Sequence, residues 1–269
     1  MSTFKITLAY DGTDFVGWQR QASGTSIQGL IEDALRELDG RAVTVTGAGR
    51  TDAGVHAIGQ VAGFALDRTI AGDVLVRALN ARLPAEVRVV SAEEVPTAFH
   101  ARFDARAKTY RYRIWNADIV SPFKRRYVWH LPGALDVDAM TAAARCLEGR
   151  HDFAAFQSAG SGTGTTERVV LSSLILRQTQ DERLPASLVL SWSKHEPLIV
   201  YEITGDGFLR HMVRAIVGTL VEIGCGRRPI SWMSEVLASR DRARAGPTAP
   251  PEGLFLVRVD YGAPAPEQV

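Results

Sequence analysis

Phe4, Ile6, Leu8 and Tyr10 alternate with Lys5, Thr7 and Ala9, the period-two spacing of a strand with one buried face. Asp11-Gly12-Thr13 ends that strand in a turn. From Thr25 the period changes. Ile27, Leu30, Ile31, Ala34, Leu35 and Leu38 recur at helical spacing, Thr25 and Gln28 are placed as a capping box, and Gly40 stands at the stop, which predicts a helix over residues 26–39. Val43 and Val45 predict a strand within 42–46, followed by a strand over 58–65, a helix over 71–81 and a strand over 87–90. The order strand, helix, strand, strand, helix, strand is that of a ferredoxin-like, or RRM-like, α+β layer.

After Arg102 the pattern starts again. Thr109-Tyr110-Arg111-Tyr112-Arg113-Ile114 alternates strictly, with Tyr110, Tyr112 and Ile114 on one face and the two arginines on the other. A helix over 137–147, the triplet His151-Asp152-Phe153, a glycine- and threonine-rich loop over 158–166 expected to be mobile, and strands over 169–178, 188–192 and 198–205 follow. The tract 180–197 reads as a long hairpin excursion, and a strand over 254–261 closes the pattern. The chain thus divides into two α+β halves, 1–104 and 105–269, arranged like a duplication. A helix over 207–224 carries Arg210, His211, Arg214, Gly218 and Glu222 on one arc, opposite Leu209, Met212, Val213, Ile216 and Leu220. Such arginines face solvent on an ordinary amphipathic helix; packed between sheets, Arg210 or Arg214 would need an anion.

Composition narrows the class. A chain of 269 residues, 46% hydrophobic and 23% charged, is an ordinary soluble globular protein of one large or two modest domains. Cys146 and Cys225 stand far apart without ligand spacing, so neither a disulfide framework nor a zinc site is indicated and a reducing cytoplasm fits. Residues 1–10 do not read as a signal peptide, and no run of 18 apolar residues predicts a membrane span. The net charge of +1 hides an asymmetry: residues 1–104 hold 10 Lys/Arg against 13 Asp/Glu, and residues 105–269 hold 21 against 17. Arg102, Arg106, Lys108, Arg111 and Arg113 interleave with Phe103, Tyr110 and Tyr112, and Lys124-Arg125-Arg126 follows. Cations there suit phosphates and aromatics suit bases, although the same residues also suit a solvated strand face above core rings.

The candidate chemistry centres on Gly47-Ala48-Gly49-Arg50-Thr51-Asp52-Ala53-Gly54-Val55-His56. Three glycines permit φ > 0 and close approach of a ligand, so a bent backbone would present Arg50 and Asp52 to a partner; a surface turn in which Asp52 caps the next segment is the other reading. A carboxylate beside an arginine stays ionised, as a carboxylate nucleophile must. His56 reads as a structural hydrogen-bonding residue rather than an acid-base group.

Six ordered motifs carry a resemblance. Gly49-Arg50-Thr51-Asp52-Ala53-Gly54-Val55-His56, Phe99-His100-Ala101-Arg102, Lys108-Thr109-Tyr110-Arg111-Tyr112, His151-Asp152-Phe153, Met212-Val213-Arg214 and Gly253-Leu254-Phe255-Leu256 resemble the tRNA pseudouridine synthase A family over nearly the whole chain. The resemblance implies the pseudouridine synthase fold, two related α+β halves with a joined antiparallel sheet and a central basic cleft. It implies conversion of uridine to pseudouridine at positions 38, 39 and 40 of the tRNA anticodon stem-loop, by a homodimer in which one tRNA contacts both subunits. Asp52 is then the nucleophile, attacking the sugar or the uracil ring, and Arg214 its cationic partner. Tyr110 contacts the uracil, Leu254 packs on the ring, and Arg50 helps hold the nucleotide out of the helix. Arg102, Arg106, Lys108 and Arg210 are phosphate contacts. The isomerisation involves no redox step or phosphoryl transfer, so no cofactor or metal is expected, in keeping with the lack of ligand-spaced Cys/His clusters and of a GxxxxGK[ST] loop. Two features depart from the family: the tract 180–197 is longer than usual, and the Pro-rich end 263–269 is expected to fray. An RNA-binding module would not need the loop carboxylate, and a glycoside-cleaving enzyme would normally place a second acid across the bond; none stands out.

Overall fold

The first unit of the chain begins with β1 (Ser2–Tyr10), α1 (Ile27–Asp39), β2 (Thr46–Gly47), β3 (His56–Leu66), α2 (Gly72–Asn80) and β4 (Val87–Val95). The structure is a computed structural model that describes residues 1–158, 164–177 and 197–262. The predicted strand over 188–192, the terminal stretch 263–269, most of the tract 180–197 and part of the loop over 158–166 lie outside the described residues. Two compact units form: Met1–Lys108 with the chain from Phe255 onward, and Thr109–Leu254.

Strand β1 pairs antiparallel with β3, from Ser2↔Leu66 to Tyr10↔Ala57, and on its other edge antiparallel with β4. Its inward residues Phe4, Ile6 and Leu8 are buried, as the alternation predicts. Strand β3 starts earlier than the apolar run 58–65 suggests and is buried almost throughout, so side chains on both of its faces are covered and the alternation that marks a half-exposed strand is lost. Helix α1 matches the predicted span and ends at Gly40, whose φ of 76° and N–H bond to the Arg36 carbonyl form the expected left-handed stop. Its N-cap differs: Ser26, not Thr25, accepts the Gly29 N–H at 3.1 Å. The Gln28 amide instead bonds Glu32 and the Val45 carbonyl. That use of Gln28 also explains why the run 42–46 pairs as a strand only from Thr46. Val43 and Val45 are buried, but the Val45 backbone is satisfied by the side chains of Gln28 and Glu32 on α1 rather than by a ladder.

The second unit contains β5 (Ala107–Trp115), which begins just before it, then β6 (Trp129–His130), α3 (Val137–Arg145), β7 (Gly149–Asp152), β8 (Glu167–Arg177), β9 (Leu198–Gly205), α4 (Met212–Gly224) and α5 (Trp232–Ser239). Its strands run in the order β5-β9-β8-β7, with β6 beside β5. Strand β10 (Leu254–Asp260) returns to the first unit, where Phe255 and Leu256 pair parallel with His56 and Ala57, giving the order β4-β1-β3-β10 with β2 on β3. Helix α5 was not foreseen; eight residues are too few for a clear apolar period. Among the described residues no helix is long and apolar enough to cross a membrane.

Helix α4 is shorter than predicted. Arg210 and His211 precede it, with His211 in the left-handed region at φ 62°, so neither lies on the expected helical arc. Eleven of the 13 residues of α4 are buried, and the exceptions are Arg214 and Glu222. A helix apolar nearly all round is a core helix, and Arg214 is therefore a half-buried cation.

The His151-Asp152-Phe153 triplet has a structural use. Asp152 Oδ1 accepts the Thr166 hydroxyl at 2.6 Å and the Ala154 N–H at 3.1 Å, and Oδ2 meets Arg240 Nε at 3.1 Å. The Thr166 hydroxyl, with the Ala154 N–H and the Arg240 charge, outweighs partial burial and holds this carboxyl below its ordinary value. A lowered folded-state value stabilises the fold above the unfolded carboxylate pKa of about 3.9 and loses that stabilisation as pH falls through the folded value. Asp152→Asn is expected to cost about 1–3 kcal/mol at neutral pH, with the gap to wild type closing in strong acid. Denaturation curves across pH check this, and a gap independent of pH would contradict it.

Candidate active site

The loop between β2 and β3 is held from several sides within the first unit. Ala48 N–H donates to the Val61 carbonyl at 2.8 Å, and Gln60 Nε2 donates to the Gly49 carbonyl at 2.9 Å. The Thr51 carbonyl accepts Trp18 N–H at 3.0 Å, and the Thr51 hydroxyl lies 2.8 Å from Tyr10 Oη. Val55 N–H bonds the Asp52 carbonyl at 3.1 Å, which closes a tight turn over Ala53 and Gly54. The side chains alternate accordingly: Arg50 is exposed, Thr51 is buried and Asp52 is half-buried. A strand rather than a helix follows, so Asp52 is not a helix cap.

The glycines serve the loop differently from the sequence expectation. Of Gly47, Gly49 and Gly54, only Gly54 takes a positive φ, at 77°. Gly47 faces the Trp18 ring, which would stand 2.5 Å from an added Cβ. A fourth glycine matters more. Gly17 has φ 102°, and a Cβ there would lie 2.5 Å from the Thr51 carbonyl, so the segment after β1 presses directly on the back of the loop.

Behind the loop, His56 is 1% exposed and stacks on Phe255, with ring centroids 4.7 Å apart. Gly12 N–H points at its Nδ1 at 3.1 Å. Asp11 Oδ1, 3.1 Å from the same nitrogen, takes the backbone N–H and hydroxyl of Thr13. His56 thereby ties the turn after β1 to the start of β3.

The second unit groups two of the predicted residues, Arg214 and Leu254, around one short segment. Arg214 Nε donates to the Ala249 carbonyl at 2.7 Å, and Ala249 N–H donates to the Arg214 carbonyl at 3.0 Å. Tyr112 Oη donates to the next carbonyl, Pro250, at 2.8 Å. Burial raises the Tyr112 phenol well above its ordinary value, the Glu252 charge adds to that, and the Arg214 charge opposes it. The segment then makes one 3-10 turn, Pro251–Gly253, and delivers Leu254, which is buried. Tyr110, two residues before Tyr112, is 7% exposed and meets Phe208 edge-on at 5.0 Å. Arg210 is exposed, and its carbonyl accepts Ser158 N–H at 3.2 Å.

The remaining cations divide. Arg102 and Arg106 are exposed and Lys108 is half-buried; Arg102 lies over the exposed Phe103 ring at 5.8 Å, and that ring stacks on His100. Arg111 leaves the sequence-level basic cluster: it is buried and bonded to Glu202 through Nη2 at 2.6 Å and Nε at 3.1 Å. Both faces of β5 are covered, so its strict alternation of tyrosine and arginine does not separate a core face from a solvent face. Sequence reasoning also passed over Tyr10, Trp18 and Gln60. The signal for Gln60 was a lone amide inside the apolar run of β3.

The chain matches the profile of the tRNA pseudouridine synthase family over residues 6–104 and 143–262. It belongs to that family. Proteins named tRNA pseudouridine synthase A are similar over nearly its full length. That of Myxococcus xanthus is 46% identical over 267 residues, covering 98% of this chain and 95% of its own. That of Moorella thermoacetica is 45% identical over 263 residues, covering 97% and 100%, and that of Limosilactobacillus fermentum 41% over 271 residues, covering 100% and 99%. Membership in the tRNA pseudouridine synthase family makes the chain an isomerase that acts on tRNA. The matched segments contain Tyr10, Arg50, Asp52, Arg102, Arg210, Arg214 and Leu254, whereas Arg106, Lys108 and Tyr110 fall in the interval between them.

Proposed function

We propose that this protein converts uridines at positions 38, 39 and 40 of the tRNA anticodon stem-loop to pseudouridine, with Asp52 as the nucleophile. The observation that supports this reading best is the half-buried Asp52 carboxylate beside an exposed Arg50, on a loop fixed through its backbone and Thr51. A fixed carboxylate can attack a carbon centre without first reorganising its support.

The reaction breaks the bond between C1′ and N1, turns the uracil and joins C1′ to C5; C5 gives up its proton and N1 takes one. Uracil and ribose therefore keep their atoms apart from exchanged protons. Asp52 adds to the sugar or to the ring and is released when the C–C bond is made. The target nucleotide leaves its stack first, at a cost of a few kcal/mol. Arg50 helps hold it out, Tyr110 contacts the uracil and Leu254 packs on the ring. Arg102, Arg106, Lys108 and Arg210 hold phosphates, as cations along an RNA path do. Arg214 serves as the cation partner of the nucleophile. The larger architecture in this proposal is a homodimer of chains with two ferredoxin-like halves, a joined sheet and a central basic cleft, working in the cytoplasm.

No electron or phosphoryl group is transferred, so turnover needs no added group. Incubating unmodified tRNA with the pure protein is expected to convert uridine to pseudouridine, read in a nucleoside digest, at a rate unchanged by EDTA. An unchanged digest would reject the activity. Loss in chelator, restored by metal, would reject the cofactor-free chemistry.

A further inference from the structure

Gln60 and Tyr10 grip the Asp52 loop from behind. Gln60 is fully buried in the middle of β3, and Tyr10, at the end of β1, is 4% exposed. Gln60 Nε2 donates to the Gly49 carbonyl at 2.9 Å and lies 3.5 Å from Tyr10 Oη, while its Oε1 accepts Val61 N–H at 3.1 Å. The Tyr10 hydroxyl lies 2.8 Å from Thr51 Oγ1, in a hydrogen bond that either hydroxyl can donate. One buried amide and one buried phenol thus hold both ends of Gly49-Arg50-Thr51, the three residues immediately before Asp52. Trp18 N–H fixes the Thr51 carbonyl from the other side.

A buried polar pair is stable only when its bonds are made, and apolar groups of the same shape would serve a core equally well. Burial pushes the Tyr10 phenol up to about 12 against the bonds from Thr51 and Gln60, so the hydroxyl keeps its proton at any working pH. The linkage is therefore a fixed hydrogen-bond chain and not a titrating relay.

The geometry points to Tyr10 and Gln60 as positioning residues that set the direction of the Asp52 carboxylate through Thr51. This rests on the proposal that Asp52 carries the chemistry. A misplacement of about 1 Å can slow a reaction by about 10²-fold, so loosening the chain shows in the chemical step and not in tRNA binding. Tyr10→Phe removes one oxygen while keeping the ring that lies 6.4 Å from Trp18. It is expected to lower the single-turnover rate at saturating protein by about 10-fold or more, with the tRNA Kd within about twofold. Thr51→Val, which deletes the other hydroxyl, lowers the rate similarly, and Thr51→Ser keeps the hydroxyl and restores most of it. Combining Tyr10→Phe with Thr51→Val is no slower than the slower single variant, because both break one bond.

A Tyr10→Phe protein at wild-type rate, a loss confined to Kd, or single losses that multiply in the double variant would each overturn the inference. If Tyr10→Phe fails to fold, the Thr51→Val and Thr51→Ser pair decides alone: equal rates overturn the inference, and a rate kept only by Ser upholds it. Asp52→Asn in the same assay separates the two levels. An inactive Asp52→Asn with a full-speed Tyr10→Phe removes only the positioning role, whereas an active Asp52→Asn removes the reading beneath it.

Discussion

Asp52→Asn is expected to leave a folded protein that binds tRNA and makes no measurable pseudouridine, a loss of about 10⁴-fold or more. The exchange is nearly isosteric, and the loop is held through the Gly49 and Thr51 carbonyls, the Thr51 hydroxyl and the Asp52 carbonyl, all present in the variant. What changes is the charge and the nucleophilicity of one group. Removing a negative charge beside a polyanion does not weaken binding, so the Kd stays the same or tightens. Thermal unfolding near the wild-type midpoint, with tRNA binding retained, establishes that the lost activity is chemical. A variant that still turns over would show that the carboxylate is not the nucleophile.

Arg214→Ala is expected to reduce the single-turnover rate by about 10²–10³-fold while changing the tRNA Kd by only about threefold. The side chain sits on a core helix in which every other residue except Glu222 is buried, and its Nε bond to Ala249 helps hold the segment that leads to Leu254. The substitution therefore also costs about 1–3 kcal/mol of stability, visible as a lower unfolding midpoint. Arg214→Lys keeps a charge but not the planar fork, and it should recover part of the rate. A loss that appears in Kd alone would make Arg214 an RNA contact and not the partner of the nucleophile.

Most of the fold was legible because burial imposes a period. The alternation from Phe4 to Tyr10 and the helical spacing from Ile27 to Leu38 each named their element within a residue or two. Legibility failed where a side chain took over a backbone's partner. Val43 and Val45 have strand-like composition, but Gln28 and Glu32 supply bonds that a neighbouring strand would have made. It failed again where both faces of an element are covered: Arg111 stood in a cluster that suits phosphates or a solvated strand face, and it is spent on Glu202. Before α4, the wheel carried Arg210 and His211 into a helix that starts at Met212, because spacing alone does not show a left-handed cap.

For the site, the acidic loop was visible from its residues, whereas its support was not. Asp52 stands out as a charge among glycines, but Tyr10 reads as an ordinary strand residue, and its bond to Thr51 spans 41 positions of sequence. Gln60 in an apolar run was the available clue, and only the pairing of β3 with its neighbours shows that it turns toward Gly49. The roles given to Tyr110 and Leu254 came from the motifs and their family resemblance, and the same resemblance chose Arg214 where the helical arc had offered Arg210 as well.

The most direct measurement is position-resolved mapping of pseudouridine in unmodified tRNA incubated with the pure protein and, in parallel, with Asp52→Asn. The predicted result is pseudouridine at anticodon stem-loop positions 38, 39 and 40 with the wild-type protein and none with the variant. Modification confined to other positions, or the same pattern from both proteins, would contradict the account.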